Sequence, residues 1–566
     1  MGIEILKLLI GAGAILLIGT SFAIFENRRR LKYIKLNIIN QYGKEIDLDE
    51  VMIKMNNVSS YFRNKNEKNT IDNITWNDLN MDDVFKKINN TQCTAGQEVL
   101  YDILRKPLYN KEVLIKRDKV IDYFRNNEKE RQAIQLILGK LGKSDELYIT
   151  NCLFNEADDS KSKLLKYRLI SWLPTLSLLL LLINPMFLAL TIGLAVVNVF
   201  ISQRSKVKNY DASGFSYMIS IINVANKIKN MNIKEIEENV DSVEKNLNNV
   251  KHIKRKSVGS ETKSIMSDMD VFSEYANLIF LKELKTYEKV KNTIIKNKED
   301  LKTIYEYVGM IDALTAIASF RDSLSFYTKP ILTKSKSKKE NYIEFEKIYH
   351  PLIKNPVLNS GNFSRGVLLT GSNASGKSTF IKTVAINAIL AQTIYTCFAK
   401  EYKSSYFNIY TSMALKDDIN SSESYYIVEI KSLKRILDSI NNDIPCLCFV
   451  DEILRGTNTV ERIASSSEVL KSIENDNTIC FAATHDVELT YILEDLFDNY
   501  HFEETITDDD IEFDYKLHTG RAETRNAIKL LGFMGYDKDL VARADSRAKM
   551  FLENGDWENL NKYSQI

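Results

Sequence analysis

The chain has 566 residues and carries 76 Lys+Arg against 75 Asp+Glu, a formal net charge of +1. At roughly 150 residues per domain this length predicts about three or four structural units, and 44% hydrophobic with 27% charged residues excludes wholesale disorder. The balance also excludes a polybasic protein that holds nucleic acid by bulk charge, so any such contact must come from a local patch. Only 7 Pro and 21 Gly favour long helices over a loop-rich or sandwich fold. The six cysteines, Cys93, Cys152, Cys397, Cys446, Cys448 and Cys480, form no CxxC pair, and the five histidines show no zinc spacing. They read as reduced thiols of a cytosolic core.

In chain order, the first strong feature is Leu8 to Phe25, 18 residues without a charge, followed by Arg28, Arg29, Arg30, Lys32 and Lys35. That length just spans a hydrocarbon core, and the basic cluster places its C-terminal end in the cytoplasm. A cleaved signal peptide is the rival; it carries its charge ahead of the apolar run, so an uncleaved anchor is the preferred reading. Leu169 to Gln203 is a second uncharged block, of 35 residues. It is too long for one simple crossing and suits two short ones, with Asn184-Pro185 at the turn. Lys161, Lys163, Lys166 and Arg168 precede it, and Arg204, Lys206 and Lys208 follow it. Both flanks therefore read as cytoplasmic, as a membrane hairpin requires; a buried soluble helix pair is the alternative. Lys251, Lys254, Arg255 and Lys256, and later Lys334, Lys336, Lys338 and Lys339, are the runs from which a DNA contact would be argued. Short basic runs are more often solvated loops or headgroup contacts, and no aromatics interleave with them as a stacking platform.

The C-terminal half carries the chemistry. Val367-Leu368-Leu369-Thr370 predicts a buried strand. It enters Gly371-Ser372-Asn373-Ala374-Ser375-Gly376-Lys377-Ser378-Thr379, after which Ile381, Val384, Ala385 and Ile389 mark a helix. This is the GxxxxGK[ST] phosphate loop in its strand–loop–helix context. Its glycines let successive N–H groups and the helix N-terminus meet phosphate charge. Lys377 is expected to reach the β- and γ-phosphates of ATP, and the Ser378 hydroxyl to bind Mg²⁺. A second strand, Cys446 to Val450, ends in Asp451-Glu452. An acid at the end of a buried strand is costly unless it serves a cation, so Asp451 is the expected Mg²⁺ partner. Glu452 is then placed to polarise the attacking water as general base. The bland reading is two acids capping a strand. A third run, Thr478 to Ala483, leads to Thr484-His485-Asp486. A lone His is usually structural, but His485 after such a strand can sense the γ-phosphate.

The string Thr370 to Thr379, the segment Asp451-Glu452-Ile453-Leu454-Arg455-Gly456-Thr457-Asn458-Thr459 and the Thr484-His485 pair resemble the ATPase domain of the MutS family, one of the ABC-type ATPases. The likeness is nearer to a divergent, membrane-anchored MutS-like branch than to the mismatch-recognising members. Asp417 to Glu429 is similar to the family's signature segment. By that resemblance Ser424 contacts the γ-phosphate bound to the opposite subunit, so complete sites form only in a homodimer. Mismatch-repair members usually carry Arg-Ser-Thr-Phe where this chain has Glu423-Ser424-Tyr425-Tyr426, which removes a positive charge. Ile511-Glu512-Phe513 through Gly520 to Asn526-Ala527-Ile528, then Ala542-Arg543-Ala544, resembles the closing segment. Tyr515 falls where a ring stacks on the nucleotide base in relatives, a core tyrosine being the equal alternative. Residues 93–125 and 304–330 resemble the family's core-domain entry and its return to the ATPase.

The resulting fold class is an α/β ATPase domain (phosphate loop, ABC-type, mixed sheet flanked by helices) joined to a mainly α-helical core and lever domain with transmembrane helices. Its expected divisions are an anchor at 1–30, a polar connector at 31–90 and helical core at 91–168. A transmembrane hairpin follows at 169–203, lever and core at 204–335, the ATPase at 336–553 and a tail at 554–566. The expected function is a multi-pass cell-membrane ATPase, with about three transmembrane segments in the bilayer and its ATPase domain in the cytoplasm. It would use ATP and Mg²⁺ at a dimer interface to move its helical arms, with DNA the partner the resemblance implies. The alternative is a membrane mechanoenzyme acting on a protein or lipid partner without DNA. An ABC transporter is weaker, since no LSGGQ-like run occurs.

Overall fold

The computed structural model describes residues 21, 25–143, 153–154, 163–180, 183–184, 186–208, 211–251, 278–282, 284–285, 288, 296–335, 340–372, 375–413, 425–440, 443–475, 477–506, 511–522 and 527–557. The expected anchor Leu8–Phe25 therefore falls almost entirely outside the described residues. So do Asn373, Ala374, Ser424, Pro185, the basic run 254–256 and residues 336–339. The chain divides into two compact units. The first comprises Met1–Lys68, Phe85–Lys106 and Glu112–Ser325; the second comprises Asn69–Val84, Pro107–Lys111 and Phe326–Ile566.

The first unit is helical in its described residues. Its centre is the helix Thr94–Arg105 lying on the helix Lys298–Ser323. Close approach depends on Gly309, where a Cβ would stand 2.4 Å from Val99 Cγ2 and 2.6 Å from the Ala95 carbonyl. The Asp312 carboxylate accepts from the Gln92 and Cys93 N–H groups, each at 2.9 Å. It thus satisfies orphan donors ahead of the first helix and places negative charge at its positive end. Arg321, also on the long helix and wholly buried, donates to Asp118 Oδ1 at 2.6 Å. Removing either partner of such a buried pair leaves an uncompensated charge.

Two further helices, Leu164–Leu180 and Phe187–Lys208, pack side by side. Their side-chain distribution is inverted relative to a soluble pair. Ser171, Ser177, Asn198 and Ser202 are buried, whereas Trp172, Leu179, Val196 and Phe200 are each about three-fifths exposed. Ser177 Oγ donates to Pro174 O and lies 2.9 Å from Thr191 Oγ1 on the other helix, and Asn198 Nδ2 donates to Ile170 O at 3.2 Å. Hydroxyl and amide groups inside, with large apolar groups outside, is the arrangement expected where the surrounding medium is itself apolar. The stretch Phe187–Arg204 is long and apolar enough to cross a membrane. In the other helix Lys166 and Arg168 leave only Leu169–Leu180 uncharged, which at 1.5 Å per residue is short for a hydrocarbon core.

The second unit is a mixed α/β domain. Its strands are β1 (Ile331–Thr333), β2 (Ile343–Ile348), β3 (Asn359–Phe363), β4 (Gly366–Thr370), β5 (Glu401–Ser405), β6 (Asn408–Ser412), β7 (Cys446–Asp451), β8 (Thr478–Ala483), β9 (Phe497–His501), β10 (Glu504–Ile506), β11 (Ile511–Phe513) and β12 (His518–Thr519). One sheet has the order β12-β9-β4-β8-β7-β6, parallel except for β12; a second has the order β1-β5-β2-β3, and β10 pairs with β11. Strands β4 and β8 are buried along their whole length, as expected of parallel strands covered on both faces. The helix Lys377–Thr393, almost wholly buried after its first turn, follows β4. Cys446, Cys448 and Cys480 are free thiols in the core strands β7 and β8.

Residues 69–84 belong to this second unit rather than to a connector. The helix Asn73–Asp78 is capped by Asp72, whose Oδ1 accepts from Thr75 N at 2.8 Å, and it packs beside β6 with Trp76 buried. Sequence polarity concealed this because the short helix docks through Thr and Asp side chains and one tryptophan, without an apolar repeat.

Candidate nucleotide-binding site

The site lies at the C-terminal ends of β4, β7 and β8, adjacent strands of the six-stranded sheet. In parallel sheets this edge collects loops and ligands. The loop after β4 needs glycine at two positions. Gly371 has φ +132°, and a Cβ there would stand 2.7 Å from the Phe502 carbonyl; Gly376 has φ +103° and precedes the helix Lys377–Thr393. Ser375 Oγ closes the loop by donating to Ser372 O at 2.8 Å. Ser372 Oγ donates to Glu504 Oε2.

Lys377 is 3% exposed and donates from Nζ to the Gly371 and Ser372 carbonyls at 2.7 and 2.6 Å. Burial pushes its ammonium pKa down to about 8, against the opposing pull of Asp451, Glu452 and Glu504. The ammonium thus sits against the loop carbonyls and within the field of three carboxylates. An anion docked there requires the charged form, so binding takes up a proton once the pH exceeds about 8. Affinity for a polyphosphate should therefore hold between pH 6.5 and 7.5, then fall by up to about tenfold per unit above pH 8. Equilibrium titration of a fluorescent nucleotide across that range measures this; a flat profile to pH 9.5 contradicts it.

Asp451 ends β7, and the Ser378 hydroxyl reaches its carboxylate. Burial raises the Asp451 pKa, aided by neighbouring Glu452 and opposed by Ser378, Lys377 and Lys382. Its Oδ1 is buried and has no hydrogen-bond partner among the described residues. An orphan carboxylate oxygen beside a serine hydroxyl is the donor set of a hard divalent cation, and these residues fit Mg²⁺.

Glu452 holds φ +55°, a left-handed conformation uncommon for a residue with a side chain. Its N–H donates to Ala483 O at 3.0 Å, which ties the end of β7 to β8. One carboxylate oxygen lies 3.2 Å from His485 Nε2, and the other accepts from Arg455 Nη1 at 2.5 Å. Burial first, then Lys377, lowers the His485 pKa. The imidazole is therefore neutral near pH 7, and the tautomer protonated at Nε2 donates to Glu452. His485 is itself held by the turn after β8: Thr484 N donates to Leu369 O, and Asp486 accepts from Arg462 Nε and Nη2 at 2.8 and 2.6 Å.

Tyr515 has φ +53° and is 43% exposed; its Cδ1 would be 3.1 Å from a Cβ at Gly376. It stands at the loop rather than in the core, stacked on Phe513. Thr379 is exposed on the first helical turn. Gly371, Ser372, Ser375, Gly376, Lys377, Ser378, Asp451, Glu452 and His485 thus gather at the ends of β4, β7 and β8, with Tyr515 against Gly376.

Four contributors carry no sequence signal of their own. Glu504 belongs to an undistinguished polar run. Arg462 and Asp486 pair across 24 residues, and Lys382 looks like any solvated helix lysine. Glu429 accepts from Leu454 N, behind Glu452; it was legible only as the last residue of the signature segment.

The residues of this site lie in the stretch that matches known proteins. Residues 367–552 match the model of MutS domain V. The DNA mismatch repair protein MutS of Finegoldia magna is 24% identical over 519 residues, covering 82% of this chain and 59% of the relative. The DNA mismatch repair protein MutS of Natronomonas pharaonis is 32% identical over 182 residues, 31% of this chain and 21% of that protein. Human MutS protein homolog 4 is 29% identical over 261 residues, 43% of this chain and 27% of its own length. The chain therefore spans between about a fifth and three-fifths of these relatives.

Proposed function

From the premise that this chain belongs to the MutS family, we propose that it is a membrane-anchored ATPase that closes as a homodimer on ATP, hydrolyses it, and so moves its helical arms on DNA. The observation that carries the hydrolase reading is the convergence of Lys377, the orphaned Asp451 Oδ1 and the Glu452–His485 pair at one edge of the sheet. Lys377 and the loop N–H groups hold the β- and γ-phosphates, and Tyr515 offers a face to the base. Ser378 and Asp451 would hold Mg²⁺, which would supply charge neutralisation at the phosphates. Glu452 takes the proton of the attacking water, and His485 orients that carboxylate and lies beside the γ-phosphate. Ser424 of each subunit completes the site of the other.

Multi-pass anchoring in the cell membrane, with the ATPase domain in the cytoplasm, is supported by the apolar exterior and polar interior of the paired helices 164–180 and 187–208. Their basic flanks agree with cytoplasmic ends. That same hairpin favours a second reading, a mechanoenzyme acting on a protein or lipid partner.

Binding of the detergent-solubilised protein to duplex DNA as salt is varied, with ATP turnover followed in parallel, separates the two. Affinity that falls steeply with salt, together with DNA-stimulated turnover, supports the DNA reading. ATP turnover indifferent to DNA, with no binding at 50 mM salt, favours the second.

A further inference from the structure

The edge of the six-stranded sheet next to the site is closed by a segment from far upstream. Among the described residues β6 is the last strand of the sheet, beside β7, so alternate N–H groups on its outer side have no strand partner there. Two of them, on Thr411 and Met413, are taken by the helix Asn73–Asp78. Thr411 N donates to Thr75 Oγ1 at 3.2 Å, and Met413 N donates to Asp78 Oδ2 at 3.2 Å. The same Asp78 oxygen accepts from Thr411 Oγ1 at 2.6 Å. Arg435 locks the other end by donating to Asp72 Oδ1 at 2.6 Å and to the Thr411 carbonyl.

This latch bears on the site through the ladder. Strand β6 pairs with β7 in parallel up to Ser412 and Val450, so the residue Asp78 holds, Met413, continues beside Asp451. On its other side β7 is fastened to β8 as far as Asp451 and Ala483. Asp78 therefore sets the outer margin of the strand end from which Asp451 and Glu452 project. A charge links the two places as well: Lys382, on the helix that follows the phosphate loop, pulls electrostatically on both Asp78 and Asp451.

We propose that Asp78 is a positioning residue for the Asp451–Glu452 carboxylates, acting through β6 on the cation and the water they serve. This rests on the ATP-hydrolysing reading of the site. A carboxylate that merely capped a sheet edge would contribute to stability alone; this one also governs metal requirement and turnover.

The test uses the full-length protein, with Asp78→Ala and Lys377→Ala compared side by side. In Asp78→Ala, amide exchange at Met413 should quicken at least about tenfold while the β8 amides stay protected. The kcat for ATP should fall about ten- to hundredfold, the loss expected from misplacing a catalytic group by about an ångström. The Mg²⁺ concentration for half-maximal turnover should rise several-fold, with KM for ATP within about twofold because Lys377 and its loop are untouched. Asp78→Asn, whose amide oxygen still accepts from Met413, should recover part of kcat. If Asp78→Ala does not fold, Thr411→Val, which deletes only the 2.6 Å contact, carries the same comparison. Faster Met413 exchange with unchanged kcat and unchanged Mg²⁺ dependence overturns the positioning role alone. Absence of any Lys377-dependent turnover in the unaltered chain overturns the ATPase reading and this proposal together.

Discussion

Lys377→Ala is expected to reduce ATP turnover by at least about 100-fold, the scale of removing one preorganised charge donor from a phosphoryl-transfer site. The reason lies in how little else can replace it. Nζ is buried over the loop and bound to the Gly371 and Ser372 carbonyls, the groups that give the loop its shape. Truncation removes the charge and frees both carbonyls at once, so nucleotide affinity should weaken along with turnover. Lys377→Arg should restore little, since the longer planar guanidinium does not fit a cradle shaped for a compact ammonium. Steady-state phosphate release and equilibrium nucleotide binding measure the two effects. Full ATPase activity in Lys377→Ala would remove the basis of the site assignment.

Glu452→Gln should separate binding from chemistry. The amide keeps an oxygen toward His485 Nε2 and its shape suits the same left-handed backbone, so the loop, Lys377 and Asp451 stay in place. What is lost is the capacity to take a proton from water. General-base catalysis of this kind contributes about 10²–10⁴ in rate, so kcat should drop by that factor while nucleotide affinity changes by no more than a few-fold. Single-turnover hydrolysis beside a binding titration gives both numbers. A variant that turns over ATP at the normal rate would place the base elsewhere.

The two substitutions also divide the site by how it was legible. Lys377 sits in a contiguous string whose spacing states its own context: apolar strand, glycine loop, helix. Asp451 and Glu452 follow a strand of buried residues, and acids there have few other uses. His485 needed only the same rule applied to the next strand. In each case the chemistry depends on residues adjacent along the chain at the end of a strand, and the backbone alone brings three such ends to one edge.

Other parts had no such local rule. The inverted hairpin of Leu164–Leu180 and Phe187–Lys208 was visible as apolar length and basic flanks. Its buried Ser177, Asn198 and Ser202 could not be told from solvated polar residues until the helices were paired. Asp312 as the partner of Gln92 and Cys93 joins residues about 220 positions apart, as the sequence separations of 220 and 219 state. The stretch 31–90 read as a polar connector because its short helices carry no sustained period; residues 69–84 group with the second, mixed α/β unit.

By itself, then, the amino-acid order placed the glycine-bearing turn after β4, the acids that end β7, the histidine after β8 and the apolar stretch 187–204, because each is a short-range pattern. Only the tertiary structure decided which distant groups support them: Asp78 against Met413, Arg462 against Asp486, Glu504 against Ser372 and Lys382 between two carboxylates. Such partners are chosen by sheet order and helix docking. Those are set by burial of the whole core, and they leave no periodicity in the neighbourhood of either residue.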